Sequence, residues 1–174
     1  FKGAAVISGL YVADNMNFTH AIQIDADGQH DLAAVTDFLD QAHHNPQALV
    51  CGYPIYDQTV PLSRLWGREL TNFWVHVNTR SKALRDAMCG FRVYPLAQTL
   101  PVLPSVKTRR MDFDPDIVVR LIWAGVTVIN RPVRVTYPKD GISHFRGFSD
   151  NMRISRLHAG HFCTMLLRRM GLAK

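Results

Sequence analysis

Three acids stand close together in the stretch THAIQIDADGQHD, residues 19–31: Asp25, Asp27 and Asp31. Ala21, Ile22 and Ile24 ahead of them form the kind of apolar run that fills a central parallel strand, predicted over residues 21–25. Carboxylates this close repel one another, and some take up protons unless a cation sits between them. Asp31, just before LAAVTDFL, has the position of a helix N-cap, and Asp27-Gly28 could be an ordinary turn. Those two readings leave Asp25 and Asp27 at the carboxyl end of a strand, where open α/β sheets bind ligands. Two carboxylates one residue apart, with Ala26 facing away, can hold a hard cation such as Mg²⁺ that brings its own phosphate oxygens. Short Asp-x-Asp strings also arise by chance, so spacing alone leaves the turn and the metal readings open.

The elements that must position these acids alternate. The pattern predicts a helix over 3–15, a strand over 21–25, a helix over 32–43 and a strand over 48–52. A long helix over 62–78 follows, its stripe Leu62, Trp66, Leu70, Phe73, Trp74 and Val77 recurring at helical spacing, as core-facing aromatic stripes usually do. Then come a strand at GFRVY, a helix over 115–124 closed by Gly125, and a strand within VTVINRPVRVTY. This is an α/β order. There is no internal repeat.

Composition agrees with a folded domain. The 174 residues are 47% hydrophobic and 20% charged, enough for one buried core and unlike a disordered chain. Of the formal net charge of +6, five units fall between Arg146 and Lys174, where six basic residues face Asp150 alone. Cys51, Cys89 and Cys163 show neither a disulfide framework nor zinc spacing, which suits a reducing cytoplasm. No run of eighteen apolar residues is present. The opening FKGAAVISGLYVADNMN reads as a helix already under way, as if strands before it had been cut away.

Four segments carry a resemblance: DADGQH at 25–30, DAMCGFRVYP at 86–95, FDPDIVVRL at 113–121 and RPVRVTYPKDGISHF at 131–145. In this order and rough spacing they resemble family 2 glycosyltransferases, most nearly the dolichyl- or polyprenyl-phosphate sugar transferase branch. FKGAAVISG resembles the segment that follows the nucleotide-binding half in that family. The resemblance implies a partial GT-A fold, Rossmann-like with a mostly parallel sheet flanked by helices. Residues 1–147 would form the C-terminal part of the catalytic domain and residues 148–174 a basic helical tail. It further implies a nucleotide-diphosphate sugar donor, Mg²⁺ or Mn²⁺, and metal-assisted inverting displacement onto polyprenyl phosphate or another lipid-linked acceptor.

Carried over residue by residue, Asp25 and Asp27 would hold the metal on the diphosphate, with Gln29 as a further ligand. A metal there counters the charge that the leaving diphosphate gains as the glycosidic bond breaks. Asp86 would orient a sugar or acceptor group and Arg92 would meet phosphate, unless the two form a buried ion pair that only fixes the loop. Asp114 falls where many relatives carry a general base, but Phe113 replaces the usual Glu beside it. A phosphate acceptor needs no strong base, whereas a hydroxyl does; Asp112, Asp114 and Asp116 could equally be acids favoured in a helix's first turn. Arg134, His144 and Arg146 lie where relatives close a basic loop over the diphosphate, although a solvated basic loop looks the same in sequence.

Two features suggest peripheral contact with an anionic membrane face: Trp66, Phe73 and Trp74 on the 62–78 helix, although such aromatics more often face a core, and the concentrated positive tail. Nucleic acid is not expected as a partner, because the basic residues match no recognition motif. A non-catalytic fragment, a basic binding module and a metal-dependent nucleotidyltransferase remain as alternatives, the last without a glycine-rich phosphate loop to support it.

Overall fold

The computed structural model describes residues 1–56, 60, 62–136 and 147–172. Helix α1 (Lys2–Asn15) leads to strand β1 (His20–Gln23), and Asn17, at φ +61, makes the turn between them. A 3-10 turn (Leu32–Ala34) then opens helix α2 (Val35–His44), and its N-cap is the expected Asp31, whose carboxylate accepts from Ala33 N–H. Strand β2 (Leu49–Tyr56), helix α3 (Leu62–Thr79) and strand β3 (Arg92–Pro95) follow, with the short helix α4 (Leu96–Thr99) directly after β3. Helix α5 (Phe113–Trp123) carries Pro115 in its first turn, where a missing N–H costs nothing. It ends as its sequence predicts, at Gly125 with φ +83. Strand β4 (Val128–Val135) and helix α6 (Gly147–Arg169) complete the order.

The sheet runs β1-β3-β2-β4. β2 and β4 pair in parallel from Leu49↔Val128 to Tyr56↔Val135, while β3 runs antiparallel to both β1 and β2. The mostly parallel sheet expected is therefore a mixed one, because β3 is inserted against the common direction of the other three. The Ala21–Ile22 run is not a central strand either: β1 lies at the sheet's end, with one partner among the described residues. Pro132 sits on β4 at the opposite end, where a strand loses no ladder bond to proline.

Side chains alternate across the central strands. Leu49, Cys51 and Tyr94 join a core with α1 and α5 built on Leu10, Phe113 and Ile117. Val50 and Val93 point to the other face and pack with Phe38, Phe91 and Val133. Gly52 admits the chain beside it, since a Cβ there would lie 2.9 Å from the Phe91 carbonyl oxygen and 3.0 Å from Cys89 Sγ.

Helix α3 turns a different face inward from the one its aromatic stripe predicts. Thr71, Asn72, Val75 and Asn78 are buried, while Trp66 is 78% and Phe73 57% exposed. Hydrogen bonds fix that rotation: Asn72 Oδ1 accepts from Ala87 N–H, and the Asn78 carbonyl accepts from Trp123 Nε1. α6 packs on α3 and α5 through Trp74 against Phe162, Trp123 against His161, and a bond from His161 Nε2 to Asp116.

Candidate functional site

The loop after β1 is held by a turn of its own and by a bond to the end of β4. Asp27 Oδ1 accepts from Gln29 N–H, Gly28 adopts φ +70, and the Gln29 carbonyl accepts from Thr136 N–H at the end of β4. These contacts turn Asp25, Asp27, Gln29 and His30 toward one cavity of about 40 Å³, closed on the far side by Arg68 of α3 and by Gly90. A space of that size takes an ion or a few waters, so anything larger must lie over its mouth. The edge of the His30 ring packs on Phe91, and burial lowers its pKa, which favours the neutral imidazole.

Asp25 is the best-anchored member. Its carboxylate lies against Gly90, where a Cβ would overlap both oxygens, and Oδ2 accepts from Lys2 Nζ at 2.7 Å. Lys2 also reaches Asp114 Oδ2 at 2.6 Å. Burial works against a charge on Lys2, but Asp114 and Asp25 outweigh it and raise its pKa. Gly3 allows this bridge: a Cβ there would come 2.5 Å from Phe113 Cβ and 2.9 Å from the Arg109 backbone, so only glycine lets the start of α1 lie on the start of α5.

Beneath the cavity, Asp114 is 2% exposed. It accepts from Gln23 Nε2 at 3.1 Å and meets Arg92 Nη1 at 3.4 Å in addition to Lys2. Burial alone would raise its pKa; Lys2 and Arg92 outweigh that and hold it below the usual carboxylate value. Arg92 is wholly buried and donates to the carbonyls of Ala87 and Asp114. The ion pair weighed between Asp86 and Arg92 is divided otherwise. Asp86 takes Arg68 at 3.0 Å and caps the N–H groups of Met88 and Cys89, and Arg92 takes Asp114.

Of the residues predicted from sequence, Asp25, Asp27 and Gln29 come together at the cavity. Asp86, Arg92 and Asp114 lie buried behind it. Arg134 is exposed on β4, with its carbonyl accepting from Asp31 N–H. His144 and Arg146 fall outside the described residues. Lys2, Arg68 and Gly90 were not foreseen. Cys89 also lines the cavity, but burial pushes its thiol up to about 12, as it does that of Cys51, and neither serves as a thiolate at neutral pH.

The donor set suits one class of cation. Two carboxylates and an amide face the cavity, and no group of three or more His, Cys, Asp or Glu among the described residues closes on an ion. That fits a hard divalent ion whose remaining ligands arrive with a phosphate, and not an all-protein cage. Arg68, held from behind by Asp86, adds a fork-shaped donor beside it.

No known protein-family profile matches the chain. Over 124 residues, 67% of the chain, the sequence is 24% identical to a dolichyl-phosphate beta-glucosyltransferase of Dictyostelium discoideum. That stretch covers 37% of the relative, so the chain spans little more than a third of its length and is distantly similar to a glycosyltransferase.

Proposed function

We propose that this chain carries the metal- and diphosphate-binding part of a family 2 glycosyltransferase that moves a sugar from a nucleotide-diphosphate donor to a lipid-linked phosphate acceptor. The observation that supports it most is the meeting of Asp25, Asp27, Gln29 and Arg68 in one small cavity after β1. Bound there, Mg²⁺ or Mn²⁺ would neutralise charge developing on the departing diphosphate. Asp25 and Asp27 would hold it, Gln29 would supply an amide oxygen, and Arg68, fixed by Asp86, would take a phosphate oxygen. In the displacement an acceptor oxygen bonds to the sugar's anomeric carbon, and the bond to the diphosphate breaks with its electron pair on the leaving group.

Two features favour a phosphate acceptor. Asp114 is sealed between Lys2, Arg92 and Gln23, which suits a reaction that needs no carboxylate base. Helices α3 and α6, in contact through Trp74 and Phe162, also expose Trp66, Leu70 and Phe73 on α3 and Leu166 on α6, with Arg156 and Arg169 exposed on α6. Such a mixture of apolar and basic residues suits an anionic lipid surface. No helix among the described residues is long and apolar enough to cross a membrane.

The test is transfer from labelled nucleotide-diphosphate sugars to a short polyprenyl phosphate, with a soluble sugar acceptor in parallel. The expected result is metal-dependent transfer to the polyprenyl phosphate that falls at least ~100-fold in Asp27→Asn, a loss typical of removing transition-state charge stabilisation. Transfer indifferent to chelator and to Asp27→Asn, or confined to the soluble acceptor, refutes the reading.

A further inference from the structure

Lys2 is in an unfavourable place for a cation, because only 21% of its side chain is exposed to water. Two carboxylates from other elements hold it there, Asp25 at 2.7 Å and Asp114 at 2.6 Å, and Gly3 removes the side chain that would keep the two helices apart. Around and beneath the cavity, Asp25, Asp27, Asp86 and Asp114 face Lys2, Arg68 and Arg92, which leaves a single net negative charge among these residues. A bare divalent ion would therefore meet a site already almost neutralised from within. An ion that arrives with a diphosphate brings negative charge of its own, and the ammonium then attracts the incoming complex.

Resting on the metal–diphosphate reading above, we propose that Lys2 is a specificity-determining residue: an internal rival cation that makes the site reject free divalent metal and accept metal carried on a diphosphate. Asp114 acts on the site through Lys2, as the buried anion that keeps the ammonium beside Asp25. The order of binding follows. Metal enters with the diphosphate, and the site does not fill with metal first.

The test is calorimetric titration of the chain with MnCl2 and, separately, with Mn²⁺ premixed with inorganic diphosphate. Removing one unit charge about 5 Å from a divalent ion under water-like screening corresponds to roughly a tenfold change in affinity. Lys2→Met should tighten free Mn²⁺ about tenfold and weaken the diphosphate-borne ion by a similar factor, while Lys2→Arg should resemble the parent chain. Lys2→Gln, which loses the charge but keeps a hydrogen-bond donor between Asp25 and Asp114, should give the same two signs if Lys2→Met folds poorly. Opposite signs are the signature, because misfolding or a purely structural role would weaken both. Shifts of the same sign, or none, overturn the proposal. Asp27→Asn is the separate control: if it leaves Mn²⁺ binding unchanged, the metal reading itself falls.

Discussion

Acidification should loosen the seam between α6 and the rest of the domain, and His158 supplies most of the effect. Its ring is 4% exposed, its Nδ1 lies 3.4 Å from Asn78 Nδ2, and the His161 ring stands 6.4 Å away. Across the seam, His161 itself contacts Asp116, which also binds Arg120 and Thr108. Burial, helped by His161, lowers the His158 pKa from 6.5 to about 4. Because the folded pKa is the lower one, the unfolded chain takes up the proton first; stability is complete above pH 6.5 and drains as pH falls toward 4. Between pH 7 and pH 5 this amounts to about 2 kcal/mol. The Asp116 carboxylate, held low by His161, Arg120 and Thr108 against its burial, titrates below that window. His30, lowered by burial, adds to the slope in the same direction, so the comparison must be made against a variant. Urea unfolding at pH 7, 6 and 5 should show His158→Asn losing about 2 kcal/mol less than the parent chain over this range. Parallel losses in the two proteins, or a His158 ring proton resonance that titrates near pH 6.5, would refute the reasoning.

Two glycines give sharper tests of the architecture. Gly3→Ala puts a methyl group into Phe113 and the Arg109 backbone, which cannot yield as a side-chain tip can; thermal or urea unfolding should show a loss of roughly 1–3 kcal/mol. Gly90→Ala runs first into the Asp25 carboxylate, a side-chain end that can shift, so the melting temperature should change by a few degrees at most while Mn²⁺ affinity falls about tenfold, a dissociation readable by calorimetry.

Much of the element order was legible because periodicity and punctuation are local. Gly125 ended α5 where expected and Asp31 capped its helix, since both act within a turn of their own position. Pairing was not legible. The Ala21–Ile22 run has the composition of a central strand but lies at an end of the sheet, because nothing in a strand's own sequence names its neighbours. The stripe on α3 misled for a related reason: the hydrogen bonds of Asn72 and Asn78, to partners 15 and 45 residues away, outweigh the pull of Trp66 and Phe73 toward a core. At the site, Asp25, Asp27 and Gln29 were readable because they are contiguous. Arg68 and Gly90 reach the same cavity from distant segments, and Lys2 reaches Asp25 beside it from another, so no local pattern in the sequence ties them to the acids.

The bridge from Lys2 to Asp114 also constrains how such a sequence can drift. With Asp114 2% exposed, replacing Lys2 alone leaves that acid short of a cation, and replacing Asp114 alone leaves Lys2 and Arg92 short of an anion, so either single step passes through a destabilised intermediate. Related chains should then fall into two populations, those that keep both charges and those that lose both together. A steric partner belongs to the same unit, because once the bridge is gone nothing requires Gly3 to hold α1 and α5 so close. Lys2 and Gly3, adjacent in the chain and more than one hundred residues from Asp114, should covary with it as a single inherited character.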